Sequence, residues 1–245
     1  MKKMIIATLA ASLMAGSAIA ASHMQKVRMG TEGAYPPYNF VNDKGEIDGF
    51  ERDLGDKLCE IAKLDCTWVK NDWDSIIPNL VSGNYDTIIA GMSITAERDK
   101  TIDFTQEYFP PDPSAYVALK GASTDGTSGV VATQKATIHA SYVASSKATV
   151  VEFATADETI AAVRSGEADA VLADKSFLDP IVKESNGELV FVGKSIEIGG
   201  GVGMGIRESD GELKAKFNAA IDTMKKDGSL SALIAKWFDG RMVKF

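Results

Sequence analysis

Two stretches of this chain, 83 residues apart, share one local pattern: LVSGNYDTIIAG at 80–91 and VRSGEADAVLAD at 163–174. Each has Ser-Gly-x-x-Asp, three apolar or threonine positions, then alanine and one terminal residue. Each therefore predicts a helix end, a glycine stop and a strand. A duplicated unit of this kind constrains the fold more than any single element does. It predicts two similar lobes, each built on its own sheet, with Gly91 and Asp174 at equivalent strand ends.

The surrounding pattern agrees with α/β layers and mostly parallel sheets. KVRMGT (26–31), CTWV (66–69), YDTIIAG, GVVAT (129–133), TVVEF (149–153), EADAVLAD and LVFVG (189–193) read as strands. Apolar residues at Phe50, Leu54, Leu58 and Ile61 predict an amphipathic helix from Phe50 to Leu64. Shorter helices are expected over Trp73–Val81, around 137–145 and over Lys175–Glu184. Thr155-Ala156-Asp157-Glu158 and Ser209-Asp210-Gly211-Glu212 read as capping boxes, the second opening a helix that Asp227-Gly228 ends. A last helix holds Leu230, Leu233, Ile234 and Trp237. FPPDPSAYVAL (109–119) and EIGGGVGMGI (197–206), one stiffened by proline and one loosened by glycine, read as two crossings between lobes. The expected division is lobe 1 over 25–111 and 204–245, and lobe 2 over 112–203, with hinge segments near 110–116 and 198–204.

The first twenty residues stand apart. A basic MKK, an apolar run and Ala18-Ile19-Ala20 predict a secretory signal over 1–20. Residues 21–24 end in Ser-His-Met, the translation of a common cloning site. Setting aside 1–24, which hold Lys2 and Lys3 and no acid, leaves 24 basic against 34 acidic residues. That balance, a formal −10, speaks against nucleic acid or anionic lipid as partner. Cys59 and Cys66, an even pair in an exported chain, favour a structural disulfide.

In open parallel sheets, ligands gather beyond the carboxyl ends of strands. After Gly91 come Ser93 and Thr95, a candidate N-cap for a short helix through Lys100 with Arg98 on its first turn. A guanidinium matches a carboxylate bidentately. With Asp174 facing it from the other lobe, the pair suits a zwitterion. Read alone, Arg98 would instead pair with Glu97 or Asp103, and Asp174 would cap the helix that follows it.

The segments GTEGAYPPYNF, GEIDGFERDLGDKLC, DWDSIIPNLVSGNYDTIIAGMSITAERDKTIDFTQEY, GGGVGMGIRESDGEL and KKDGSLSALIAKWF occur in order. Together they resemble the periplasmic polar and basic amino-acid-binding proteins of ABC importers, over essentially all of 25–238. The resemblance implies a two-lobed type II binding-protein fold with a two-strand hinge and no cofactor. It implies a monomer that closes on one free amino acid and delivers it to a membrane permease. By the same resemblance, Arg98 holds the ligand's α-carboxylate and Thr137 lies in the second-lobe segment donating to it. Ser93, the Gly91 carbonyl and Asp174 take the α-ammonium. Tyr35 and Trp73 wall the side chain, Glu32 reads its far end, and Cys59 pairs with Cys66. An acid between aromatic faces suits a guanidinium or ammonium, which ranks arginine first, then lysine or ornithine, then histidine or glutamine. Lys135 and Ala136 stand where relatives often have glycine and a hydroxyl residue, and a lysine near the mouth disfavours cations. His139 is expected on a helix surface. The competing reading is an enzyme on this scaffold, such as a dehydratase of a small carboxylic acid with Glu32 or Asp174 as general acid. No Gly-x-Ser-x-Gly elbow occurs.

Overall fold

Phe50, Leu54 and Leu58 fall one above another on a helix, and all three are fully buried, so the apolar spacing is the packing face. The computed structural model describes residues 24–245; the expected signal over 1–20 and residues 21–23 lie outside the described residues. In chain order the strands of the first half are β1 (Gln25–Thr31), β2 (Ala34–Tyr35), β3 (Asn39–Val41), β4 (Ile47–Asp48), β5 (Leu64–Lys70), β6 (Thr87–Ile88) and β7 (Asp103–Phe104). Those of the second half are β8 (Ser114–Leu119), β9 (Val130–Gln134), β10 (Thr149–Phe153), β11 (Ala170–Asp174), β12 (Leu189–Ile196) and β13 (Gly205–Ile206). The helices are α1 (Phe50–Ala62), α2 (Ile76–Val81), α3 (Ile138–Ala144), α4 (Ala156–Ser165), α5 (Lys175–Glu184), α6 (Gly211–Asp227) and α7 (Ser229–Trp237). None among the described residues is long and apolar enough to cross a membrane.

One sheet has the order β5-β1-β6-β13-β7 and the other β10-β9-β11-β8-β12, and they correspond strand for strand. In each, three neighbouring strands are parallel and the fourth is antiparallel to both its neighbours. The antiparallel strand, β8 or β13, is in each case the first the chain forms after passing from the other sheet. A small antiparallel ribbon, β2-β3-β4, packs beside α1.

The duplicated motif has a physical reason. Gly83 and Gly166 both take φ +80°, a left-handed turn after α2 and α4 that L side chains disfavour. Three residues on, Asp86 Oδ2 accepts the N–H of Arg28 on β1, and Asp169 Oδ2 accepts that of Val130 on β9, both at 2.8 Å. The repeated aspartate fastens the equivalent strand of each sheet where its pairing with the next strand begins.

Three local expectations change. The strand read over YDTIIAG shrinks to β6: Ile89 N still donates to Gly30 O (2.9 Å), but Gly91 N turns away to a carboxylate of α1. The capping box holds at Thr155 and Glu158 but not at Ser209, because Ser209 Oγ donates to Asp210 and Arg207 takes the other Asp210 oxygen at 2.6 Å. The glycines of the second passage are there for close approach. A Cβ on Gly200 would stand 2.9 Å from the Ile94 carbonyl oxygen, and one on Gly201 2.8 Å from Glu107 Cβ. The two passages run side by side, with Tyr108 N donating to Val202 O (2.8 Å) and Val202 N to Phe109 O (2.9 Å).

Tyr38, Phe50, Phe109 and Phe238 pack beneath this junction, edge to face except for the tilted Phe109–Phe238 pair, with ring centroids 4.7 to 6.4 Å apart. Cys59 and Cys66 are bonded, tying α1 to β5. Closing so short a loop stabilises by about 2–3 kcal/mol on the chain-entropy model.

Asp86 also meets Arg28 (2.9 Å) and Arg207 (3.2 Å). Burial raises its pKa, but hydrogen bonds from Arg28 and Arg207 outweigh it and hold the carboxyl below the usual range. Asp86→Asn is expected to cost about 1–2 kcal/mol at pH 7, a figure discounted for solvent screening. A depressed carboxylate contributes above its unfolded pKa and loses that contribution as pH falls through its folded one. Urea titrations should therefore show the gap to wild type narrowing below pH 4, and a gap unchanged at pH 3 would exclude Asp86 as the source.

Candidate functional site

The strand ends of the two lobes converge on one cavity, lined by all eight residues expected there: Glu32, Tyr35, Trp73, Gly91, Ser93, Arg98, Thr137 and Asp174. Gln134, His139 and Thr159 join them from the second lobe.

Arg98 reaches it because the chain folds back after Ser93. Thr95 Oγ1 accepts the N–H of Arg98 (3.2 Å), where a single turn over Arg98–Lys100 begins. The guanidinium returns to donate to Ser93 O (2.8 Å), with its carbon 5.3 Å from the Trp73 ring centroid. Two nearby acids are engaged elsewhere: Glu97 pairs with Lys100 at 2.5 Å and Asp103 with Lys214 at 2.6 Å. Among the described residues, Arg98 has no carboxylate partner. Burial pushes its pKa down to about 10, against an opposing pull from Asp174, so it stays charged at neutral pH.

Asp174 occupies the N-cap position of α5 without capping it. The N–H of Ser176 is taken instead by Asp112 Oδ2, from the first passage, at 2.9 Å. The Asp174 side chain is thereby free to face the cavity, where Oδ2 accepts the Tyr35 hydroxyl (2.9 Å) from the other lobe. Tyr35 stacks on Phe177 of α5, ring centroids 4.4 Å apart.

His139 is not on a surface. It is 5% exposed, its Nε2 lying 3.0 Å from Ser114 Oγ and 3.5 Å from Asp174 Oδ1. The turn of α3 that buries Ala140 and Val143 also carries this ring inward. Both partners share one ring nitrogen. A Ser-His-Asp relay needs the serine and the acid on opposite nitrogens, so the trio is not a nucleophilic triad.

Thr137 caps α3, accepting from Ala140 N (3.1 Å) and donating its hydroxyl hydrogen to Gln134 O (2.6 Å). Its side-chain donor is therefore committed, and the donors left at this corner are the first N–H groups of α3. Ala136, at φ +58°, turns its carbonyl to Trp73 Nε1 (3.3 Å). Lys135 does not present a free charge at the mouth, because Asp74 meets it at 2.5 Å across the two lobes.

Glu32 follows β1 and Gln134 ends β9, the equivalent strand, and the two meet: Gln134 Nε2 donates to Glu32 Oε1 at 2.6 Å. Burial pushes the Glu32 carboxyl up to about 7, with the Gln134 hydrogen bond opposing. Gln134 was not among the expected site residues, although its place at the end of the matching strand was a usable signal. Among the described residues, no cluster of three His, Cys, Asp or Glu could hold a metal ion.

Comparison with known proteins adds a family and relatives. Residues 27–240 match the model for bacterial extracellular solute-binding proteins, family 3. An L-arginine-binding protein of Pseudomonas aeruginosa is 35% identical, with 97% of each chain covered. The lysine/arginine/ornithine-binding periplasmic protein of Escherichia coli is 33% identical, with 98% of each covered. A crystal structure of a periplasmic His/Glu/Gln/Arg/opine family-binding protein from Silicibacter pomeroyi in complex with lysine is 68% identical. It superposes with a TM-score of 0.86, covering 89% of this chain and 100% of that one.

Because the folded state holds the Glu32 proton more tightly than the unfolded chain, ionising it opposes folding. The penalty sets in as pH rises above the ordinary glutamate value of about 4.3 and is complete above about 7. Glu32→Gln keeps an acceptor for Gln134 and should raise the melting temperature of the ligand-free protein more at pH 8 than at pH 5. Equal shifts at both would show an acid titrating in the usual range.

Proposed function

The chain belongs to the bacterial extracellular solute-binding proteins of family 3, and from that premise we propose a periplasmic receptor for one free L-amino acid with a cationic side chain. It works as a monomer and delivers its ligand to the membrane permease of an ABC importer. Arginine ranks first, then lysine or ornithine, with histidine and glutamine weaker. One observation carries this reading: a guanidinium with no carboxylate partner among the described residues, Arg98, and a carboxylate freed from capping duty, Asp174, line one cavity from opposite lobes.

The α-carboxylate pairs with Arg98, aided by the N–H groups that open α3. The α-ammonium is shared by Asp174, the Gly91 carbonyl and Ser93. The side chain passes between Tyr35 and Trp73 to Glu32. Arg98 lies over Trp73 and Phe177 stacks on Tyr35, so each ring has a face already occupied by protein. The ligand is gripped fully only when both lobes touch it, so binding favours the closed arrangement, the form an importer can recognise. The names of the relatives above, and the lysine held by the Silicibacter pomeroyi protein, support a basic ligand. Burial raises Glu32 as the enzyme reading requires, but Arg98 and Asp174 lining one cavity favour a zwitterion receptor, and His139 is not placed as a relay.

Calorimetric titration should give one L-arginine site per chain. Arg98→Ala should weaken it by at least about 100-fold, since it strands a desolvated carboxylate. Glu32→Gln should cost arginine far more than glutamine. Arginine binding that survives the first change removes the carboxylate assignment, and equal losses in the second place the acid outside the pocket.

A cationic side chain also favours ionised Glu32, so binding near pH 7 expels a proton. Arginine affinity should accordingly climb between pH 6 and 8. A flat profile over that range would separate the acid from the ligand's charge.

A further inference from the structure

Glu51, on the first turn of α1, is 0% exposed, yet its carboxylate is engaged by hydrogen bonds alone. Oε1 accepts the Gly91 N–H (2.6 Å) and the Tyr108 hydroxyl, and Oε2 accepts Asn39 Nδ2 (2.7 Å). Asn39 passes the chain on, its Oδ1 accepting the Gly33 N–H at 2.7 Å. The line thus runs from Gly33, next to Glu32, to Gly91, and it begins and ends on backbone N–H groups.

That polarity dictates the residue type. Both ends are donors that cannot be turned round, and the asparagine between presents one acceptor and one donor. Position 51 must therefore accept on both sides, which a carboxylate does and an amide does not. With glutamine there, an NH₂ facing Gly91 sets donor against donor. Turned the other way it forces Asn39 to flip, and the clash moves to Gly33. Burial makes either mismatch costly.

We propose that Glu51 is a positioning residue for the pocket: through Gly91 and Asn39 it fixes the ammonium-binding carbonyl at a set separation from the segment carrying Glu32. This rests on the reading of the pocket given above. Glu51 touches no ligand. It sets the span between the two ends that the amino acid must bridge, and so contributes to affinity and to the length of side chain accepted.

The polarity can be exchanged as a test. In the double variant Asn39→Asp with Glu51→Gln, aspartate accepts from Gly33 and from the glutamine NH₂, and the glutamine oxygen accepts from Gly91, so every donor again meets an acceptor at unchanged net charge. Calorimetry with L-arginine should show each single variant about tenfold weaker or more at a stoichiometry near one, and the double variant within threefold of wild type. Ligand-free NMR supplies an arm independent of ligand: the Gly33 and Gly91 amide signals should move in Glu51→Gln and return in the double variant. A lower melting temperature with unchanged arginine affinity in Glu51→Gln reduces the residue to a structural one and overturns the proposal. Tighter binding by Asn39→Asp overturns it in favour of simple charge. Should Glu51→Gln fail to fold, the double variant still decides, since a folded double variant that stays tenfold weak also overturns it. Wild-type protein that binds no amino acid would sink the receptor reading instead, while the two amide signals would still report on the network.

Discussion

The structure turns on a guanidinium held inside a cleft with no carboxylate partner among the described residues. Taking a charge from water costs several kcal/mol even after relaxation, and a chain this rich in acids could have neutralised Arg98 locally. It does not: Glu97 is paired with Lys100 and Asp103 with Lys214. On the facing lobe Asp112 takes over a capping duty that would have drawn Asp174 aside. Both halves of the electrostatic pair are kept available by third parties, and a zwitterion placed between them satisfies both at once.

That availability has a topological basis. The two sheets share one strand order, so the ends of equivalent strands meet across the cleft: Glu32 meets Gln134, and Gly91 lies in the same cavity as Asp174. Each sheet receives its antiparallel strand directly from a passage between the lobes, and the passages are hydrogen bonded side by side. The strand ends that line the cavity thus belong to sheets joined at that junction.

Two buried glutamates show how environment divides labour among like groups. Glu51 accepts from three donors and serves the backbone around it. Glu32 has one side-chain donor, and burial carries its carboxyl up to about 7, where a cation can reset it. Burial raises both carboxyls, and they differ in how many hydrogen bonds oppose it, three in Glu51 and one in Glu32.

Local patterns proved legible where a rule acts within a few residues. The limits of α5, the capping box at Thr155 and the glycine stops of the repeat all follow from nearest neighbours along the chain. The repeat also pointed to Gly91 and Asp174, since duplicated strands must end at equivalent places. Arg98 was readable as a cation beside hydroxyls, but its freedom was not, because that depends on Lys214, more than a hundred residues away, holding Asp103. His139 and Glu51 were misread or passed over for the same reason: a histidine on a short helix and an acid in a first turn are ordinary surface choices. The sequence by itself determined which elements form and that they form twice, because helix stops, caps and apolar periodicity are short-range chemistry. Only the tertiary structure decided which charges remain unpaired and which acid is buried among donors, because a charge's partner is set by what distant segments bring within a few ångströms.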